Sequence, residues 1–540
     1  MHGAIVAVGG LPYNQGMISQ GIAQWVSENV VNKWLVNPSL RIAVAMVLLF
    51  FVITSALAHQ LQPLTNSPDE MVTRAFVHEY EATSALRIPA PVVAVEEGLA
   101  PRSVSFREGA YVPATFYGML VLYGGVAKVL GVKVFWILTP LIASIACLAF
   151  FGLVRRVWGD RIAMTSVMLL CLHPAWWYYT ARGLYPNVLV VSLIIIGLWL
   201  VLIEPMRSAG RVLVMRVANH VLGMGVLALA AFVRPVEMVW VGLLLLAAAI
   251  IYRAWKDRVL VWIWGTALIV CMGVVGLYPG ILGSVSGYVI ALPSFLDALF
   301  PFGIHPRLVL HNMWNIGFLS LGFVGVVSAG ALGVVLVRWI LARALFTTER
   351  GKYILLTLAW IWYPILMYGS WIVRDNPTPE LVTIGSSFFR YWLPVFVVVL
   401  PFVAYVLWRV FERFRSEGRR YMAGIWMGFF VCWFGASMLT GASGVDGFAS
   451  LLRERDAVVA VRERVLARVP ESSVIIVDKW DKHFWPARTV TRVRKSLAVD
   501  QWFFGLVLRA DESQQLAGAT GGRVVEVDRF GTHALYHIEK

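Results

Sequence analysis

LRIAVAMVLLFFVITSALAHQLQPLTNSPDE, residues 40–70, decides the architecture. Beyond Arg41 the run carries no charge until the paired carboxylates Asp69 and Glu70. An apolar run of ~20 residues matches the ~30 Å hydrocarbon core of a bilayer. Runs of this kind recur down the chain, and spans are expected near 40–58, 133–154, 161–180, 185–204, 213–233, 235–252, 258–278, 313–341, 353–373, 391–409 and 421–440. Hydrophobic residues make up 59% of the 540 positions and charged residues only 14%, against roughly a quarter charged in soluble proteins. A water-soluble fold would have to hide more apolar surface than a chain of this length can enclose.

The reading is therefore an all-α polytopic membrane protein of about eleven transmembrane helices. A cytoplasmic segment (1–39) precedes the transmembrane domain (40–440), and a small soluble α/β domain (441–540) follows it. The net charge of +15 does not indicate nucleic acid, because the basic residues form short clusters between spans: Arg155/Arg156/Arg161, Arg207/Arg211/Arg216, Arg253/Lys256/Arg258, Arg338/Arg343/Arg350/Lys352 and Arg409/Arg413/Arg415/Arg419/Arg420. Such clusters mark cytoplasmic loops. Their parity settles the apolar stretch at 111–130. Were it a full span, every later loop would flip and all five clusters would lie outside, so it is read as an interfacial or re-entrant helix. The loops 59–132, 279–312 and 374–390 and the C-terminal domain then share the extracytoplasmic face.

In the C-terminal domain 473–478, 523–527 and 534–538 read as strands and 449–468 as a helix. Lys479, Asp481, Lys482 and His483 read first as a solvated turn. The four cysteines (Cys147, Cys171, Cys271, Cys432) lie in apolar runs and offer neither a disulfide framework nor zinc spacing. Their absence from the loops points to a prokaryotic plasma membrane. Residues 17–36 have the pattern of an amphipathic helix on the cytoplasmic surface, or of a loosely ordered tail.

The first loop is acidic, with seven of the 31 carboxylates between residues 59 and 112. Ser67-Pro68-Asp69-Glu70 is a capping box with proline at the first helical position, and the apolar spacing that follows suits a helix lying along the membrane. The carboxylates can thus serve the helix start, the chemistry, or both.

A first span, a large loop opening with Asp69-Glu70, an apolar helix and a span ending in Arg155-Arg156 together resemble the GT-C superfamily of membrane glycosyltransferases. Protein O-mannosyltransferases, the lipid A aminoarabinose transferase and oligosaccharyltransferases belong to it. Arg155-Arg-Val-Trp-Gly-Asp160, Ala181-Arg-Gly-Leu-Tyr-Pro-Asn187 and Phe232-Val-Arg-Pro235 are similar to segments of these proteins. Two positions depart from the pattern: Tyr111-Val112-Pro113 stands where relatives carry His or Lys before Pro-Pro, and Asn187 stands where several carry an acid. No WWDYG-like segment is present.

The resemblance implies a polyprenyl-phosphate-linked sugar as donor, inversion at the sugar carbon, and a glycan, lipid or protein acceptor on the outer face. A carboxylate in reach of the acceptor hydroxyl can act as general base, and Asp69 is assigned that role. Glu70 is left to orient it, to cap the helix, or to join Asp69 in holding a divalent cation such as Mg or Mn. Arginine matches phosphate oxygens, and Arg182, Arg234 and Arg390 stand at outer span mouths. Each has a second reading: an ion pair with Glu237 for Arg234, and an aromatic-belt anchor for Arg182 and Arg390. His78, Tyr111, Tyr185 and Asn187 are assigned to the substrate cleft. His305 and His311 read as satisfied loop histidines. The competing classes are a transporter or flippase of lipid-linked sugars, which would place ionisable groups mid-span, and a structural assembly protein.

Overall fold

The computed structural model describes residues 37–62, 64–202, 212–251, 303–318, 324–372 and 382–540, with a few positions between 265 and 273. The amphipathic segment, the span at 258–278 and most of the loop at 279–312 lie outside them.

Helix α1 (Pro38–Gln60) starts where Asn37 caps the Leu40 amide and Pro38 fills the first turn. The chain then crosses to α2 (Pro68–Thr83), whose capping box forms as expected, and ends at Ser84 in the left-handed region. Where the sequence suggested only an apolar stretch, the loop builds a small sheet with strand order β1-β3-β2. It comprises β1 (Ile88–Pro89), β2 (Val104–Arg107) and β3 (Ala110–Pro113), with helix α3 (Val92–Glu97) between the first two. The turn Glu108-Gly109 takes positive φ at both residues, as a tight hairpin requires. Only 117–130 of the apolar stretch is helical, in α4 (Tyr117–Leu130). At ~1.5 Å per residue its 14 residues fall short of a bilayer, in keeping with an interfacial helix.

Next come α5 (Phe135–Trp158) and α6 (Asp160–Leu172). The expected span at 161–180 is broken, because His173 caps a new helix, α7 (Pro174–Ala181), with Pro174 in its first turn. Proline lacks the N–H that would continue the preceding ladder. A bend of 111° then separates α7 from α8 (Pro186–Leu202). The helices α9 (Val212–Val233), α10 (Met238–Ile251), α11 (Pro306–Asn312), α12 (Val324–Leu341), α13 (Glu349–Gly369), α14 (Ser387–Tyr391), α15 (Leu393–Ser416) and α16 (Arg420–Ser443) complete the bundle.

Among the described residues, four helices are long and apolar enough to cross a membrane, lying in Pro38–Gln60, Val132–Trp158, Leu393–Ser416 and Arg420–Arg468, or five if the bent α7–α8 pair is one span. Helices stand at ten of the eleven expected positions, but several are shorter or broken. The outer sides of α1 and α16 expose Leu48, Leu49 and Val52, and Ile425, Phe429 and Val431, surface that suits lipid and not water. The chain is an integral membrane protein.

After α17 (Phe448–Arg468) comes a five-stranded sheet of order β5-β4-β6-β8-β7. It contains β4 (Val474–Val477), β5 (Thr489–Thr491), β6 (Gln501–Leu506), β7 (Arg523–Phe530) and β8 (His533–Glu539), with helices α18 (Asp481–Phe484) and α19 (Ala510–Thr520). The centre β5-β4-β6 is parallel and the β6-β8-β7 side antiparallel. β4 is buried at every position, which is why it reads as an unbroken apolar run. The strands β5 and β6 went unread: Thr-Val-Thr is short, and Gln-Trp-Phe-Phe-Gly-Leu lacks alternation.

This domain sits on the first loop. Trp485 packs its ring 5.9 Å from Phe76 of α2 and 5.8 Å from Tyr111 of β3. Asp481, fully buried, accepts from the backbone N, Nε and Nη2 of Arg102 at 2.5–3.2 Å. Lys482 Nζ donates to the Asn66 carbonyl at 2.7 Å, while its own carbonyl accepts from Thr65 Oγ1. The segment read as a solvated turn is thus a docking element. Burial and the neighbouring Arg102 charge bring the Lys482 ammonium down to about 8, against the pull of Glu70.

Candidate active site

The site begins at the N-terminus of α2, where the capping box fixes the depth and direction of two successive carboxylates. Their environments differ. Glu70 is 3% exposed. Its Oε2 accepts from the amides of Asn66 (2.9 Å) and Ser67 (3.1 Å), and its two oxygens also take Nε (2.7 Å) and Nη2 of Arg182 in a bidentate pair. Arg182, held at the C-terminal end of α7, spends a further N–H on the Tyr178 hydroxyl at 2.9 Å. Four donors therefore converge on Glu70, and this pair is closed.

Asp69 is open by comparison, its side chain 34% exposed. Ser103 Oγ donates to Oδ1 at 2.9 Å, and Arg390 Nη2 donates to Oδ2 at 2.8 Å. Desolvation acts to raise its pKa, but the Arg390 charge, the Ser103 hydrogen bond and the more distant Arg234 charge outweigh it, and the carboxyl is held below its ordinary 3.8. Asp69 stays ionised at neutral pH and keeps a face towards solvent, as a proton acceptor must.

The arginines around it are buried. Arg390, in α14, lies 4.5 Å over the Tyr185 ring and 5.2 Å over Tyr391. Arg234, at the end of α9, lies 5.2 Å over the rings of both Tyr391 and Phe116 and pairs with Glu237 Oε1 at 3.1 Å. Glu237 also accepts from the Tyr368 hydroxyl and from Trp240 Nε1. The Nε atoms of Arg390 and Arg234 are buried and make no hydrogen bond. A buried, unpaired charged donor costs on the order of 1–3 kcal/mol or more, so these two N–H groups are poised for an acceptor.

One cluster thus gathers Asp69, Glu70, Arg182, Tyr185, Arg234 and Arg390 from four separate stretches of the sequence. Asn187 is buried in the first turn of α8, two residues from Tyr185. His78 lies nine residues past Asp69, about 13 Å along α2, exposed and edge-on to Phe135. Tyr111 is buried under Trp485 at the seat of the C-terminal domain, where burial pushes its phenol up to about 12. Asn312 holds the carbonyls of Gly369 and Trp371. Ser103 and Tyr391 were not read from sequence. Tyr391 adjoins Arg390, but nothing local marks Ser103, which lies 34 residues from Asp69.

A cation shared by Asp69 and Glu70 does not fit this donor set, since both Glu70 oxygens are taken by N–H groups and Asp69 faces two arginines. Among the described residues no group of three or more His, Cys, Asp and Glu side chains is placed to hold a metal ion.

The architecture is the GT-C fold. ArnT from Cupriavidus metallidurans bound to undecaprenyl phosphate superposes with a TM-score of 0.51 at 13% identity, over 91% of this chain and 97% of that one. The apo form of the same enzyme gives 0.50 at 15% identity, over 92% and 98%. The oligosaccharyltransferase AglB from Archaeoglobus fulgidus, in complex with an inhibitory peptide and a dolichol-phosphate, gives 0.49 at 11% identity, over 92% and 74%. No protein-family model and no curated protein sequence matches the chain.

Proposed function

We propose that this protein is an inverting glycosyltransferase that moves a sugar from a polyprenyl phosphate to an acceptor hydroxyl on the extracytoplasmic face of the membrane. The observation that carries the reading is the open Asp69 carboxylate bordered by Arg390 and Arg234, two buried guanidiniums with N–H groups to spare. Asp69 takes the acceptor proton as the acceptor oxygen attacks the sugar carbon from the side opposite the phosphate. The carbon–oxygen bond to the phosphate breaks, and the leaving phosphate keeps the electron pair. Arg390 and Arg234 neutralise the charge that grows on it. Tyr185 and Tyr391 hold the arginine planes, and Glu70, closed on Arg182, fixes the start of α2.

That ArnT is bound to undecaprenyl phosphate in its structure supports a lipid-phosphate donor. The arginine clusters at 155–161, 338–352 and 409–420 support the orientation by the positive-inside bias, and the site's donor set supports a reaction with no resident metal. The purified protein in detergent, given a panel of radiolabelled polyprenyl-phosphate sugars, is expected to consume at least one of them at a rate indifferent to EDTA. A protein that moves such lipids across vesicle membranes without cleaving any of them would be the transporter.

A further inference from the structure

Ser103 sits at φ +60°, a conformation that costs a side-chain-bearing residue strain and a glycine none. A serine there exchanges backbone comfort for a hydroxyl, and that hydroxyl donates to Asp69 Oδ1 at 2.9 Å. With Arg390 on Oδ2 at 2.8 Å, each oxygen of Asp69 carries one donor. The carboxylate plane is thereby fixed while the side chain stays one-third exposed.

What holds Ser103 in this conformation lies on both sides of it. Its carbonyl accepts from the Ala114 amide at 3.0 Å, tying it to the end of the loop sheet. The preceding residue, Arg102, gives its backbone N–H, Nε and Nη2 to the buried Asp481 of the C-terminal domain, and Nη2 also reaches the Lys479 carbonyl at 3.2 Å. An unbroken series of hydrogen bonds and one peptide unit joins Asp481 to Asp69. Lys482, beside Asp481, closes a second tie on Asn66, immediately before the cap of α2.

We infer that Ser103 is a positioning residue for Asp69 and that the C-terminal α/β domain, through Asp481 and Arg102, holds it in place. This rests on the reading of Asp69 as the general base. The domain then acts as a clamp on the base, so that loosening a contact outside the membrane is felt as lost turnover while donor binding persists.

The test is a double-mutant cycle on the full-length protein in detergent. Ser103→Gly suits the backbone conformation and removes the short side chain with its hydroxyl, so thermal stability should hold while kcat falls about tenfold. The KM for the lipid donor should stay at the wild-type value. Arg102→Lys, which keeps the charge but loses the fork, should lower kcat in the same manner. The double variant should be no worse than the poorer single one, because both act on one carboxylate. Wild-type kcat in Ser103→Gly, or a fall matched by a rise in KM, would overturn the role of Ser103. Multiplying effects in the double variant would overturn the link to the C-terminal domain. Asp69→Asn run alongside separates the two claims: full turnover there removes the base itself, whereas an inactive Asp69→Asn beside a normal Ser103→Gly sinks only this inference.

Discussion

Glu70 and Arg182, 112 residues apart, form a buried bidentate ion pair in which the same carboxylate also caps its own helix. The pair fastens α2 of the first loop to the bend between α7 and α8, and so relates the depth of Asp69 to the transmembrane bundle.

Breaking that pair on one side leaves a buried charge unpaired, at a cost of about 3–5 kcal/mol. Arg182→Met is therefore expected to lower the thermal unfolding temperature in detergent sharply. The double variant Glu70→Gln/Arg182→Met, which leaves no lone charge and keeps an acceptor for the Ser67 amide, should recover part of the loss. Equal stability of the two variants would contradict the coupling.

Asp69 gives a pH signature. Its folded carboxyl lies below the ordinary 3.8, so the unfolded chain binds the proton first as pH falls. The stability it contributes is complete above the unfolded value, flat from pH 5 to 8, and lost as pH drops through the folded value. Thermal scans between pH 3 and 7 should show this acid-side loss in the wild type and a smaller one in Asp69→Asn.

Arg390 and Arg234 should act on the lipid phosphate. Arg390→Lys keeps a charge but not the planar fork. Binding of undecaprenyl phosphate, read by intrinsic tryptophan fluorescence or calorimetry, is expected to weaken about tenfold, or ~1.4 kcal/mol. Arg234→Met should weaken it further, while Arg488→Met, on the C-terminal domain, should leave it unchanged.

Trp485 anchors the C-terminal domain between Phe76 and Tyr111. Trp485→Ala removes a large buried ring, a loss of about 3–5 kcal/mol. Limited proteolysis should then cut within 441–540 faster than in wild type, while the transmembrane part stays intact.

The sequence was most legible where the physics is local. The apolar runs gave the helical membrane class, Ser67-Pro-Asp-Glu70 gave the cap with its carboxylates, and the position of arginines at span mouths gave three residues that converge on one cluster. Their partners were not legible. Arg390 meets Asp69 across 321 residues, and no periodicity encodes that. The ion pair offered for Arg234 forms with Glu237 and leaves Nε unused. The segment at 479–483 resembled a solvated turn because its polar residues are dense, yet Phe484 and Trp485 draw it under the loop and bury Asp481. The break within the stretch 161–180 was not legible for a related reason. Hydropathy does not report the Pro174 break or the bend before Pro186, so one apolar stretch and two short helices look alike.

The most direct measurement is sugar transfer from a radiolabelled polyprenyl-phosphate sugar by wild type and Asp69→Asn, with undecaprenyl phosphate binding measured on the same preparations. The account predicts turnover by the wild type, a loss of at least a hundredfold in Asp69→Asn, and binding of the lipid phosphate within a few-fold in both. Transfer by Asp69→Asn at the wild-type rate would contradict it and return Asp69 to a helix-start residue.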